Sequence, residues 1–442
     1  MERFEFQFGS RGAAARRRDD EEPMRLLLLG DFSGLPASER PPLADRRTHQ
    51  IDADNLDAVM RRLAPRVAGP AGTIAFGELD DFHPDRLFAR LELFQALRHT
   101  RTSPPAGTAD MVGRLLGKTP AAPAAAAPSN PIDALIRDIV APHIAREDTA
   151  QAASYTAAVD AAIAEQMRAL LHGRGFQSIE AAWRGAHWLV SGLELDERLQ
   201  LHVLDVARDE LLADIVSASG ELARTGLHRA LVDRWRNVPG APGWSAFAAL
   251  FEFGDAAADV GLLAALGLVA ASAGAPLLAG AARTVSEQDD APADWPALRR
   301  SEAARWIGLG APRVLLRLPY GRQTDRVDSF AFEEFAGAPQ HEDFLWGNAS
   351  LALTLLLGRA FTARGWEMEP GDEREIGDLP AYTFTRDGEP ELQACAERFL
   401  TESQLQAMLG RGIIPLASRR DRNAIVAIRF QSIADPPAPL AW

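Results

Sequence analysis

Residues 24–32 read MRLLLLGDF. An apolar run this short, closed by Gly30 and Asp31, is the pattern of a buried strand. The chain then turns to helix at IDADNLDAVMRRLAPRV (51–67), where Asp54 or Asn55 is the expected cap and Leu56, Val59, Met60 and Leu63 share one face. Thr73–Leu79 reads as another strand, and DDFHPDRLFARLELFQALR (80–98) as a second helix with Pro84 in its first turn. Upstream, RFEFQF (3–8) alternates strictly and puts Phe4, Phe6 and Phe8 on one face of a strand. The polar stretch RGAAARRRDDEEP (11–23) tethers it, so this strand either docks onto another sheet edge or stays a frayed tail.

KTPAAPAAAAPSNP (118–131) is a Pro/Ala-rich linker between two folded parts. Beyond it, Ile132–Leu171 is expected to be helical. FQSIEAAWRGAHWLV (176–190) places Phe176, Ile179, Trp183 and Val190 on one helical face, with Glu180 and Arg184 spaced for an ion pair. LQLHVLDV (199–206) is a strand and DELLADIVSA (209–218) a helix; the rhythm recurs at VLLRL (314–318) and LWGNASLALTLLLGRAF (345–361). AIVAIRF (424–430) is a last strand before a proline-rich end. Such alternation implies an α/β chain of layered mixed sheets with flanking helices.

Composition bounds the function. A chain of 442 residues predicts roughly two to three domains, and 47% hydrophobic with 24% charged residues is the ordinary globular range. A net charge of −14 with scattered arginines argues against nucleic acid as a partner. Cys395 is alone, so neither an intrachain disulfide nor a cysteine zinc site can form, and a reducing compartment fits. The first residues lack a secretory signal, which points to the cytoplasm. Val260–Ala282 carries no charge and is long enough to span a bilayer, yet it is mostly Ala and Gly; a buried helix followed by a buried strand is expected, without membrane insertion.

Motifs for chemistry are absent. GRLLGKT (113–119) has three residues between its glycines where a phosphate loop needs four. GDFSG (30–34) has Asp31 where a nucleophile elbow needs glycine, and reads as a strand-end turn. IDADN lacks the rest of a calcium loop. The nine histidines form no metal-ligand pair, and His187 and His202 read as scaffold residues. No catalytic residue, cofactor or metal is expected.

FQSIEAAWRG, LHVLDV, GAPLLAG, GAPRVLLRLPYG, FAFEE, FLWGNA, RGIIPL and AIRFQS follow one another in an order that resembles the large subunit of the type VI secretion system contractile sheath, over Ile132–Ser432. LLLLGDFSG, PLADRRTHQIDADNLDAVMRRLAPRV and LDDFHPDRLFARLELFQALR resemble the small sheath subunit, over Met24–Lys118. The resemblance implies two sheath-type regions fused in one chain: a flexible arm with a strand (1–23), a small-subunit-like region (24–117), the linker (118–131) and a large-subunit-like region (132–442). It implies a non-enzymatic structural protomer that assembles with itself as a helical or ring oligomer around an inner-tube protein, in contact with the baseplate or other sheath components, its terminal arms donating strands to neighbours. The alternative is a sheath-related adaptor, cap or assembly factor that does not polymerise. Ordinary large subunits continue further at the C-terminus. They also carry, where the linker stands, the recognition segment of a recycling ATPase, so that partner is not carried over.

RLPYGRQTDRVDSFAFEE (317–334) concentrates charge beside a tyrosine. Its Arg317, Tyr320, Asp325, Glu333 and Glu334, with Phe4, Phe6 and Phe8, are the candidate protein-interface residues. Arg317 is expected either to pair with Glu333 or Glu334 and hold the loop, or to meet a neighbouring protomer.

Overall fold

A computed structural model describes residues 21–69, 72–102, 151–236, 238, 242–287 and 294–442. RFEFQF, GRLLGKT, the linker and the first part of the expected 132–171 helix lie outside the described residues. Along the chain come β1 (Met24–Gly30), β2 (His49–Ile51), β3 (Arg66–Gly69), β4 (Gly72–Ala75), β5 (Leu199–Asp205), β6 (Ala246–Phe253), β7 (Leu277–Ala281) and β8 (Ile307–Ala311). Then follow β9 (Val314–Leu315), β10 (Trp346–Gly347), β11 (Glu375–Ile376), β12 (Tyr382–Arg386), β13 (Glu389–Gln393), β14 (Ile413–Ser418) and β15 (Ile425–Ala427). Helices flank mixed sheets, so the α/β reading holds.

Two compact units are present, and neither follows the order of the sequence. One combines residues up to Pro65 with Ser178–Arg317 and Leu345–Trp442; the other combines Arg66–Gln177 with Leu318–Phe344.

The first unit holds a nine-stranded sheet in the order β11-β15-β14-β8-β7-β6-β1-β5-β2. Its six central strands, β14 to β5, run parallel, while β15, β11 and β2 are antiparallel to their neighbours. The four leucines of β1 explain its place: every residue of this strand is buried, as a central parallel strand covered on both faces requires. Leu26 pairs with Leu201 of β5 on one side and Ala246 of β6 on the other. β5 and β6 follow each other in the sheet's later segment yet do not touch. The slot between them, two strand spacings of about 4.8 Å, is filled by β1.

Helix Ala257–Ala273 and β7 occupy the uncharged stretch that could have been a membrane span; Val260, Leu263, Leu266 and Val269 are buried in the core. Among the described residues no helix is long and apolar enough to cross a membrane. One strand was misplaced by sequence pattern. VLLRL contributes only β9, a two-residue pairing with β10, and the sheet strand is the preceding IGLGA of β8. Its glycines hid it, and they have a packing reason: a Cβ on Gly310 would meet Ala349 and Leu353 of helix Ala349–Arg364 at 3.0 Å. The helix at Leu56 has Asn55 at its N-cap, one of the two expected residues, but the Asn55 side chain does not cap it; Asp52 instead accepts the N–H groups of Asp54 and Asn55 just ahead of the helix.

The second unit packs the β3–β4 hairpin with helices Pro84–Arg90, Glu92–Thr102 and Gln151–Leu171. Phe76, Phe82 and Phe176 meet in its core, with centroids 4.4 to 5.7 Å apart. The expected strand 73–79 stops at Ala75, because Glu78 and Asp81 form a reciprocal cap that starts a 3-10 turn at Leu79. The expected helix 80–98 is interrupted at Leu91, whose ψ of 131° is extended. Gln95 turns back to donate to the carbonyls of Ala89 and Arg90, and no glycine or proline marks the break.

Candidate functional site

The end of β1 carries a dense polar arrangement. The strand stops at Gly30 and the chain turns through Asp31, Phe32 and Ser33, the GDFSG stretch that reads as a turn. Asp205, the last residue of β5, receives that turn. Its Oδ1 accepts the N–H of Phe32 (2.8 Å) and Ser33 (3.0 Å), and its Oδ2 accepts the Ser33 hydroxyl (2.7 Å). Trp183, buried on helix Arg174–Gly192, donates its indole N–H to the Phe32 carbonyl at 2.8 Å and meets the Phe32 ring edge-on.

Two arginines from the following loop close over this turn. Arg40 binds Asp31 (2.5 Å) and approaches Glu210 (3.5 Å) and Asp205 (3.9 Å). Arg46 donates to the Asp205 carbonyl (2.8 Å) and makes a two-pronged pair with Glu210. Arg234 holds the same loop from the other side, donating to the carbonyls of Ala44 and Arg46, both at 2.7 Å. Gly226 lets the loop pass, since a Cβ there would lie 2.9 Å from the Ala44 nitrogen.

Burial decides how these charges behave. Burial pushes the Asp31 carboxyl up, against Arg40 and the Gly34 N–H. Burial also pushes Glu210 up, but the hydrogen bonds and charge of Arg46, with the Ala207 N–H and Arg40, outweigh it and hold this carboxyl below its usual range. In open parallel sheets, ligands sit beyond the carboxyl ends of the strands. Here that place is filled by the protein's own charges, and the Asp205 oxygens are taken up by the turn. The arrangement joins segments; among the described residues no group of His, Cys, Asp and Glu is placed to hold a metal ion.

A second buried acid lies on the same helix as Trp183. Glu180 is fully buried and is bound by Arg184 (2.7 Å), the pair its spacing implied, and by Arg317 (2.9 Å). Glu180 is thus a partner for Arg317 that the sequence did not suggest.

Tyr320, Asp325, Glu333 and Glu334 belong to the second unit, and they separate by burial. Tyr320 and Glu334 are each 1% exposed: the Tyr320 N–H donates to Glu334 Oε2 (2.7 Å) and the Glu334 N–H to the Tyr320 carbonyl (2.9 Å). The side chains of Asp325 and Glu333 are 59% and 55% exposed. Asp325 lies 3.6 Å from His83, and Glu333 accepts from the Arg322 N–H (3.3 Å). Asp85 caps the loop by accepting the N–H groups of Asp328 and Ser329; burial alone would raise its carboxyl, and these bonds bring it below the usual range. Phe330 stacks on Phe88 and Phe332 is buried. Phe4, Phe6 and Phe8 lie outside the described residues.

Sequence reasoning missed Arg40, Arg46, Asp205, Glu210 and Arg234. The signal was the position of Asp205 at a strand end opposite the GDFSG turn, which only the pairing of β1 with β5 brings together.

Residues 153–434 match the family described as VipB: EvpB/VC_A0108, tail sheath N-terminal domain, which covers more than half of the chain. Residues 5–113 match the family described as Type VI secretion system, VipA, VC_A0107 or Hcp2. The type VI secretion system sheath protein TssC1 of Pseudomonas aeruginosa is 30% identical over 307 residues, 64% of this chain and 61% of the relative. The sheath protein TssB1 of the same organism is 29% identical over 108 residues, 22% of this chain and 60% of the relative. The chain therefore spans about six tenths of each of these relatives.

Proposed function

We propose that this chain, which belongs to the type VI secretion tail-sheath family, is a fused sheath building block that assembles with copies of itself around an inner tube. Sheath families are structural, and the role assigned is mechanical: work comes from repacking many protein contacts. One observation carries the reading. The strand of the small-subunit-like region fills the slot between β5 and β6 of the large-subunit-like region, so a single chain contains a paired small and large part.

A contact that does not close on itself generates a helical tube. The exposed charges of the 318–334 loop, Asp325 and Glu333 with Arg322 and Arg326, are the ones we propose to meet a neighbouring copy. The buried Tyr320 and Glu334 hold the loop that presents them. The inner-tube protein, the baseplate and other sheath components are the further partners of this reading, in the cytoplasm.

Electron microscopy of the purified protein, alone and with the other components of the system, tests it. Rings, tubes or sheath-bound particles are expected. Their absence in every combination sinks the building block, and binding to sheath subunits without polymerisation supports an adaptor instead.

A further inference from the structure

We propose that Arg16, Arg17 and Arg18 dock on their own chain around Trp366, where the carboxylates of Glu367, Glu369 and Glu373 and the indoles of Trp366 and Trp442 receive the guanidinium groups. Glu21 is the first described residue, and the chain is fastened to this surface from the start: the Trp366 indole N–H donates to the Glu22 carbonyl at 2.6 Å. Two residues on, the Met24 N–H donates to the Arg198 carbonyl at 2.7 Å and β1 begins.

Trp366 follows the end of helix Ala349–Arg364 and packs against Phe361, with centroids 4.9 Å apart, and against Trp442 at 6.3 Å. Both indoles are half-buried, which leaves ring surface accessible. Met368 is extended and buried, so Glu367 and Glu369 on either side of it face outward together. Residues 367–375 read EMEPGDERE, five carboxylates to one arginine, and the imbalance is only partly met nearby. Arg364 takes Asp372 (3.6 Å) and Arg422 takes Glu375 (2.7 Å). Glu367, Glu369 and the half-buried Glu373 have no cationic partner among the described residues.

Carboxylates beside accessible indole faces are the chemistry that recognises guanidinium groups, by ion pairing and stacking. RRR at 16–18 stands four to six residues before Glu22, so its backbone lies within about 20 Å of the Trp366 indole even when fully extended. A tether this short holds the effective concentration on the order of millimolar, and surface ion pairs that are each weak are then occupied together. Asp19, Asp20 and the exposed Glu21 add to the same negative field. Docked in this way, the arm leaves the body at the Trp366 face whether or not the chain assembles, so the inference does not rest on the assembly reading above.

Trypsin digestion of the full chain tests it, with cleavage after Arg16, Arg17 and Arg18 read by mass spectrometry as a ratio to cleavage after Arg3 in the same digest. Cleavage tracks the fraction of chains whose arginines are undocked. Glu367→Gln, Glu369→Gln and Glu373→Gln together are expected to raise the ratio about fivefold or more. Raising the salt from about 0.01 M to about 1 M shortens the Debye length from about 30 Å to about 3 Å, and is expected to raise the ratio similarly in the parent but not in the variant. Glu389→Gln with Glu391→Gln, both exposed on the β12–β13 hairpin, is the control and should keep the parent ratio. An unchanged ratio in the triple variant overturns the docking and leaves the arginines to pair with Asp19 and Asp20 within the arm. An equal rise in the control shows an effect of net charge alone and overturns it as well. Either result leaves the building-block reading standing, since that reading is judged by the particles the protein forms.

Discussion

Two strand pieces of the small-subunit-like region, β1 and the β3–β4 hairpin, have opposite fates. β1 is buried along its whole length and paired on both edges, and its terminal turn is locked by Asp205, Arg40 and Arg46. Among the described residues the β3–β4 hairpin is paired only within itself, and it exposes Thr73 and Ala75 on its edge. A strand with both edges satisfied serves folding, whereas an open edge is a template for another chain. The difference lies in the residues. Four adjacent leucines need cover on both faces, and a strand reading GTIA buries only Ile74.

The largest expected effect breaks the closed side of this contrast. Asp205→Ala removes the acceptor for the Phe32 and Ser33 N–H groups and a counter-charge of Arg40, and should lower the stability of the sheet by about 3–5 kcal/mol. Urea denaturation followed by tryptophan fluorescence measures this, and a loss below about 1 kcal/mol would show that the joint is not structural. Arg317→Ala takes one of two guanidinium groups from the buried Glu180 and leaves Arg184, so a loss of about 1–3 kcal/mol is expected. Unchanged melting with failed assembly would move Arg317 from the fold to the interface.

His202 sharpens the same contrast through pH. Burial and then the charge of Arg25 lower its pKa from 6.5 to about 3, so the folded protein keeps this ring neutral where the unfolded chain takes up a proton. The sign follows: the contribution is full above pH 6.5 and is lost as pH falls towards 3, by about 1.4 kcal/mol per pH unit. The difference in unfolding free energy between parent and His202→Gln should shrink with that slope on acidification; a parallel pair of curves would reject it. The smallest effect on folding belongs to the open side. Asp325→Asn with Glu333→Gln should change stability by less than about 0.5 kcal/mol, because both side chains are exposed, while reducing assembly seen by light scattering. Unchanged assembly would remove the loop from the contact surface.

Much of the site was partly legible. GDFSG announced a turn, Glu180 and Arg184 announced their pair, and the uncharged 260–282 stretch resolved into a buried helix and strand. These are local facts, settled within a few residues of the chain. IGLGA escaped because its glycines carry no hydrophobic pattern, and the break at Leu91 escaped because a glutamine side chain makes it. The ionic joint escaped for another reason, since Arg46 and Glu210 are 164 residues apart.

By itself, then, the sequence determined the α/β class, the burial of MRLLLL, the helix faces and the sheath-type motifs, because apolar periodicity and turn residues act over short spans of chain. Tertiary structure decided that β1 lies between β5 and β6, that Arg317 reaches Glu180, and which charges of RLPYGRQTDRVDSFAFEE are buried. Those outcomes depend on strand register and on burial, which remove charges from water and force each to find a partner wherever the chain brings one.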